Sequence, residues 1–249
     1  MKRGAILAGL AALAVFVLLW KAVVIVSGFP PFILPSPEAV AGRLVQAWTS
    51  GTIEPHAAAT LLEIGLGFLV GTLLALPVGY GLARSAIIAR LVSPYIVAAQ
   101  ATPILALAPV LVLWFGPGLL GKVVICALIV FFPIAVSAIV GLRSVDAGLL
   151  ELGRSLRATR RQVLLTLEIP AALPSLSGGL RIGITLAVVG AIVSEWAGAE
   201  RGLGVLVNLA RGSLFDTPLM FATLVTIAAI GVVLYLIVVL VERMLVGQR

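Results

Sequence analysis

Long apolar runs make up most of this chain, and one polar stretch interrupts them. Residues 143–180 carry five arginines, Arg143, Arg154, Arg157, Arg160 and Arg161, between runs long enough to cross a bilayer. Within lipid a backbone must satisfy its own hydrogen bonds, so such runs fold as helices. With 61% hydrophobic and 11% charged residues, the 249-residue chain has too little polar surface for a soluble domain of its size. The sequence predicts an all-α polytopic membrane protein, a single domain over residues 1–249, with six spans at about 5–26, 56–82, 93–115, 119–142, 180–198 and 218–241.

Charge sets the orientation. With six spans, one side holds Lys2, Arg3, Arg84, Arg90, the five arginines of the polar stretch, Arg181, Arg243 and Arg249, and the other Lys21, Arg43, Lys122, Arg201 and Arg211. A split of 12 to 5, out of 17, places the arginine-rich side and both termini in the cytoplasm. The same rule accounts for the net charge of +7, and no basic cluster is interleaved with stacking aromatics, so nucleic-acid binding is not indicated. Cys126 is the only cysteine, which excludes an intrachain disulfide and a multi-cysteine metal site. The first run follows Lys2 and Arg3 and exceeds the apolar length of a signal peptide, so it is read as a retained span.

Two spans carry small residues every fourth position, Gly67, Gly71, Ala75 and Gly79 in the second and Gly179, Gly183, Ala187 and Ala191 in the fifth, stripes that admit a close neighbouring helix. The third span is broken by Pro94, Pro103 and Pro109 and contains Gln100 and Thr102, which makes it a candidate wall of a path. Ser194 and Glu195 near the outer end of the fifth span are further path candidates, because a carboxylate at that depth needs water or a partner. His56 stands without a metal-binding cluster and reads as an interfacial residue. The segment Gly116-Pro117-Gly118-Leu119-Leu120-Gly121-Lys122-Val123 imitates a phosphate loop, but no strand precedes it and Val123 replaces the magnesium-binding hydroxyl, so it reads as a turn.

Inside the polar stretch, Val145, Leu149, Leu152 and Leu156 recur at helical spacing. A second helix is predicted to begin after Thr159 as N-cap, with Val163, Leu164 and Leu167 as its apolar face, and to stop before Pro170. Two short helices joined at a bend form a knuckle.

The spacing from Glu151 to Leu167-Glu168-Ile169-Pro170 resembles the EAA loop of ATP-binding-cassette importer permeases. Glu151 takes the glutamate position and Pro170 the proline position, Leu152 and Gly153 stand for the two alanines, and Leu167 and Ile169 for the closing Ile and Leu. Arg157, followed by Ala158 and Thr159, stands where the family has a glycine, and an arginine adopts the left-handed conformation of such a bend at a cost of roughly 1 kcal/mol. The segments Phe32-Ile33-Leu34-Pro35-Ser36-Pro37, Thr102-Pro103-Ile104-Leu105-Ala106-Leu107-Ala108-Pro109 with Trp114-Phe115-Gly116, Ser194-Glu195-Trp196 and Arg201-Gly202-Leu203-Gly204 together are similar to the nitrate/sulfonate/taurine-type permease group, which includes riboflavin and thiamine-pyrimidine permeases.

That resemblance implies a non-catalytic permease of the bacterial cytoplasmic membrane, with a coupling loop at 143–179. It also implies a second permease copy as homodimer partner, membrane lipid around the spans, two cytoplasmic ATPase subunits that bind the ATP and Mg, and an extracytoplasmic substrate-binding protein. The cargo would be a small organic or anionic solute, of the sulfonate, taurine or nitrate class or a vitamin such as riboflavin or a thiamine precursor. The alternative is a secondary transporter or channel without an ATPase, whose ion coupling would call for several buried acids, and only Glu63 and Glu195 approach that.

Overall fold

Three helices meet through the predicted small-residue stripes. A computed structural model, which describes residues 2–101 and 104–246, shows α3 (Glu54–Arg84), α6 (Leu119–Arg143) and α9 (Ile169–Trp196) packed side by side. The contact is tight: a β-carbon on Gly67 would lie 2.3 Å from the Cys126 sulfur, and one on Gly179 would lie 2.5 Å from Ser137, about three turns further along α6. Ile64, Cys126, Val130, Ile134, Ile184 and Ala187 fill the core between the three helices. In a bilayer, packing of this kind holds helices together where water exclusion gives nothing.

The remaining elements wrap this core. They are α1 (Lys2–Ser27), α2 (Pro37–Thr49), α4 (Ala86–Ala101), α5 (Ile104–Phe115), α7 (Ala147–Ser155), α8 (Arg160–Val163), α10 (Leu203–Gly212) and α11 (Thr217–Val246). Ser36 caps α2, accepting from the Ala39 amide, with Pro37 in the first turn. From Leu7 onward helix α1 is mostly exposed, and it touches the bundle through the stacked rings of Trp20 and Phe221, 5.7 Å apart. Arg43 of α2 pairs with Asp216 at 2.7 Å, which anchors α2 to the start of α11.

Among the described residues five helices are long and apolar enough to span a membrane: α1, α3, α6, α11 and a 37-residue helix from Arg160 to Trp196. The third predicted span corresponds to α4 and α5, two shorter apolar helices.

The 37-residue helix corrects one expectation. The helix after Thr159 does not stop before Pro170 but runs on, as one continuous helix, into the segment read as the fifth span. A π-helical turn over Leu164–Glu168, in which the Ile169 amide donates to the Leu164 carbonyl, precedes the proline and loosens the hydrogen-bond ladder where Pro170 supplies no N–H. At 1.5 Å per residue the rod is about 55 Å long, against a hydrocarbon core of about 30 Å, so its first turns project beyond the bilayer.

Candidate functional site

The knuckle is built by local chemistry. Asp146 caps α7 by accepting from the Gly148 and Leu149 amides at 2.8 and 3.2 Å, a cap legible as an acid just ahead of an apolar-periodic run. Thr159 caps α8 in a capping box: its hydroxyl accepts from the Gln162 amide at 3.3 Å, and its own amide donates to the Gln162 side chain at 2.8 Å. Between the caps the chain turns at Arg157, whose φ of 51° is left-handed. The Arg157 amide donates to the Arg154 carbonyl and the Ala158 amide to the Gly153 carbonyl, both at 2.9 Å, the bond pair of a Schellman motif with arginine in the glycine position.

Two apolar faces result, and they differ in what covers them. Val163, Leu164 and Leu167 are partly buried, and Val163 and Leu167 close over the buried Gly153. Leu149, Leu152 and Leu156 stay open to solvent, Leu156 at 72% and Leu152 at 55% exposure, beside a shallow cleft of about 160 Å³. Glu151, Arg157 and Thr159 are also exposed, and so are Ile169 and Pro170 at the start of α9. An apolar patch on a loop outside the spans marks an interaction surface.

The loop is tied to the bundle by two arginines. Arg84, at the end of α3, pairs with Glu168 of the π turn at 2.8 Å and stacks over the Tyr80 ring. Arg143 donates to the Leu82 and Ala83 carbonyls at 2.9 and 3.3 Å, neutralising the negative end of α3.

At the far end of the rod the other polar candidates form a clamp. Glu195 is 2% exposed and accepts from the Thr60 hydroxyl and from the Gly204 amide, each at 2.5 Å. Thr60 in turn accepts from the Leu203 amide at 2.8 Å, Trp196 Nε1 donates to the Gly204 carbonyl at 3.0 Å, and His56 Nδ1 lies 3.1 Å from the Gly202 amide. Gly202, at φ 141°, admits no side chain: a β-carbon there would come within 2.1 Å of the Glu195 carboxyl carbon. Ser194 is buried and donates to the Ala191 carbonyl at 2.7 Å. Thus Ser194 and Glu195 face inward within the protomer, and Glu195 holds α10 against α3 and α9. The Gln100 side chain and all of Thr102 lie outside the described residues.

One ion pair was not foreseen. Lys122, read as a residue of the outer turn, sits buried in the first turn of α6 with Nζ 2.6 Å from a carboxylate oxygen of the buried Glu63, and it also donates to the Arg201 carbonyl at 3.2 Å. The lysine of the apparent phosphate loop is therefore engaged by a carboxylate, and pairing is what allows both charges to be buried.

A bundle of apolar helices with one exposed apolar knuckle on a rod through its centre is the architecture of a transport permease. Residues 67–246 match the model of the binding-protein-dependent transport system inner membrane component, and the chain belongs to that family. It is a multi-pass inner-membrane permease subunit, non-catalytic, and the family implies a separate ATPase and a substrate-binding protein as partners. The chain is 45% identical over 234 residues to the riboflavin transport system permease protein RibX of Chloroflexus aurantiacus, covering 94% of this chain and 87% of the relative. It is 35% identical over 219 residues to the formylaminopyrimidine transport permease protein ThiX of Halalkalibacterium halodurans, covering 88% and 87%. It is 34% identical over 229 residues to the taurine transport system permease protein TauC of Escherichia coli, covering 90% and 83%. A crystal form of the MetNI methionine ABC transporter, in inward-facing conformations, shares the fold with a TM-score of 0.68 over 78% of this chain and 95% of that one, at 22% identity.

Proposed function

We propose that two copies of this chain form the membrane path of an ATP-driven vitamin importer, with riboflavin or a closely related vitamin as cargo and both termini in the cytoplasm. The exposed leucine face of α7 carries the mechanical part of this reading: Leu149, Leu152 and Leu156 are open on a segment that no span covers, and an ATPase groove is the surface they would enter. Identity to RibX over nearly the whole chain, well above that to the thiamine-precursor and taurine permeases, supports the cargo. Thiamine precursors and small sulfonates are the next substrates to try.

The chain's own part is to convert movement into exposure. The ATP and Mg would be held by the ATPase pair, and closure of that pair would press on α7. Because α8, the π turn and α9 form one continuous helix, a push at Thr159 would be carried along it towards Glu195. Glu195 grips α10 through Gly204, so tilting the rod would move the outer segment together with the loop, a rigid-body switch. Glu151 would transmit the push, and Glu151→Ala is expected to keep the ATPase attached while hydrolysis proceeds without transport. Gln100 and Thr102 are proposed to face the path formed between the two copies.

The test is uptake in proteoliposomes containing the permease and its ATPase, with the cognate binding protein outside. Labelled riboflavin should enter only with ATP inside and binding protein outside. Uptake that proceeds without the ATPase would establish the secondary-transporter alternative.

A further inference from the structure

Between the end of α3 and the coupling loop opens a cleft of about 590 Å³, lined by Tyr80, Arg84, Leu150, Arg154, Arg160 and Val163. A second cleft of about 240 Å³ shares Tyr80, Arg84 and Leu150 and adds Arg143 and Glu168. Three arginines from three elements, α3, α7 and α8, thus converge on one concave surface. Glu168 satisfies Arg84 at 2.8 Å, but among the described residues neither Arg154 nor Arg160 forms an ion pair. Guanidinium forks presented on one concave surface match the oxygens of a phosphate group, and like charges lining one cleft favour an anion between them.

The depth of the cleft indicates where the phosphate comes from. Arg84 and Arg143 stand at the last residues of α3 and α6, where the apolar spans end and lipid headgroups begin. Ile87, Ile88 and Leu91, just beyond Arg84 on α4, are exposed and offer apolar surface to an acyl chain. Leu150 and Val163 make part of the wall apolar, which suits a headgroup with its glycerol better than a free hydrated ion.

We propose that this cleft binds the phosphate of an anionic phospholipid, with Arg154 and Arg160 as its main partners, and that the bound lipid bridges the coupling loop to α3. The inference rests on the cytoplasmic placement of the loop proposed above, where anionic lipid is plentiful. Such a lipid would stiffen the join between knuckle and bundle.

The full chain, co-purified with its ATPase in detergent and stripped of lipid, is titrated with dihexanoylphosphatidylglycerol, dihexanoylphosphatidylcholine and inorganic phosphate, and adducts are counted by native mass spectrometry. Phosphatidylglycerol is expected to bind at one site per permease copy, about tenfold tighter than either alternative. At roughly fivefold per arginine, the R154Q/R160Q pair should weaken it about twenty-fivefold, while R154K/R160K keeps most of the binding and so separates charge from misfolding. Equal affinity for inorganic phosphate would make this a free-phosphate site and overturn the lipid assignment. Wild-type lipid binding by R154Q/R160Q would overturn it as well, and so would loss of the ATPase from that variant with lipid retained, because the arginines would then belong to a protein contact. Lipid binding in detergent needs no transport, so its failure is distinct from failure of the importer reading.

Discussion

Glu195 and Gly204 are joined by a 2.5 Å hydrogen bond from the Gly204 amide to the Glu195 carboxylate, and that bond folds α10 onto the same helical rod that leaves the knuckle. The bond needs a bare backbone two residues earlier, since a β-carbon at Gly202 would overlap the Glu195 carboxyl group and its φ of 141° disfavours any side chain.

Gly202→Ala is therefore expected to destabilise the protein by on the order of 1–3 kcal/mol and to lower uptake, while Gly212→Ala, where added volume meets nothing within 4 Å, changes little. Thermal melting of the two variants in detergent checks this. A wild-type melting curve for Gly202→Ala would mean that the clamp does not hold α10.

Arg157 makes the opposite prediction. An arginine at φ 51° gives up roughly 1 kcal/mol that glycine would not, so Arg157→Gly should tighten the turn. The Ala158 amide, which donates to the Gly153 carbonyl, should exchange about fivefold more slowly with solvent deuterium, the factor that follows from that cost. Faster exchange would show that the arginine side chain stabilises the turn.

How far the sequence could be read depended on range. The stripes Gly67-Gly71-Ala75-Gly79 and Gly179-Gly183-Ala187-Ala191 announced close packing because small residues at helical spacing have few other uses in lipid, and both stripes lie against α6. Thr159 as a cap was equally local and equally legible, whereas the left-handed residue at 157 was expected only from the family's glycine at that position, because an arginine carries no such local signal. Passage of the rod through Pro170 was not, because the proline penalty is visible in the sequence and the π turn that relieves it is not. The Glu63–Lys122 pair spans 59 residues, and nothing in either segment names the other. Glu195 drew notice as a carboxylate at depth, but its partners Thr60 and Gly204 emerge only once α3, α9 and α10 are assembled.

Orientation is tested with single cysteines in a Cys126→Ala background. Ser50→Cys and Ser213→Cys, both at exposed positions, should react with an impermeant thiol reagent applied to intact cells, and Ser155→Cys, exposed on the knuckle, should react only after lysis. Labelling of Ser155→Cys in intact cells would reverse the proposed orientation.

The central claim is that the open leucine face of α7 is buried by an ATPase. Burial of a leucine side chain contributes roughly 1.5–3 kcal/mol and an exposed charge at the rim about 0–1, so the apolar face should dominate the contact. The measurement is co-purification of the ATPase with the solubilised permease for Leu156→Asp and for Arg161→Ala, with wild-type chain as reference. Leu156 and Arg161 are both exposed, so neither change disturbs the folded core. Loss of the ATPase from Leu156→Asp with retention by Arg161→Ala is the expected result, whereas full retention by Leu156→Asp would contradict the account.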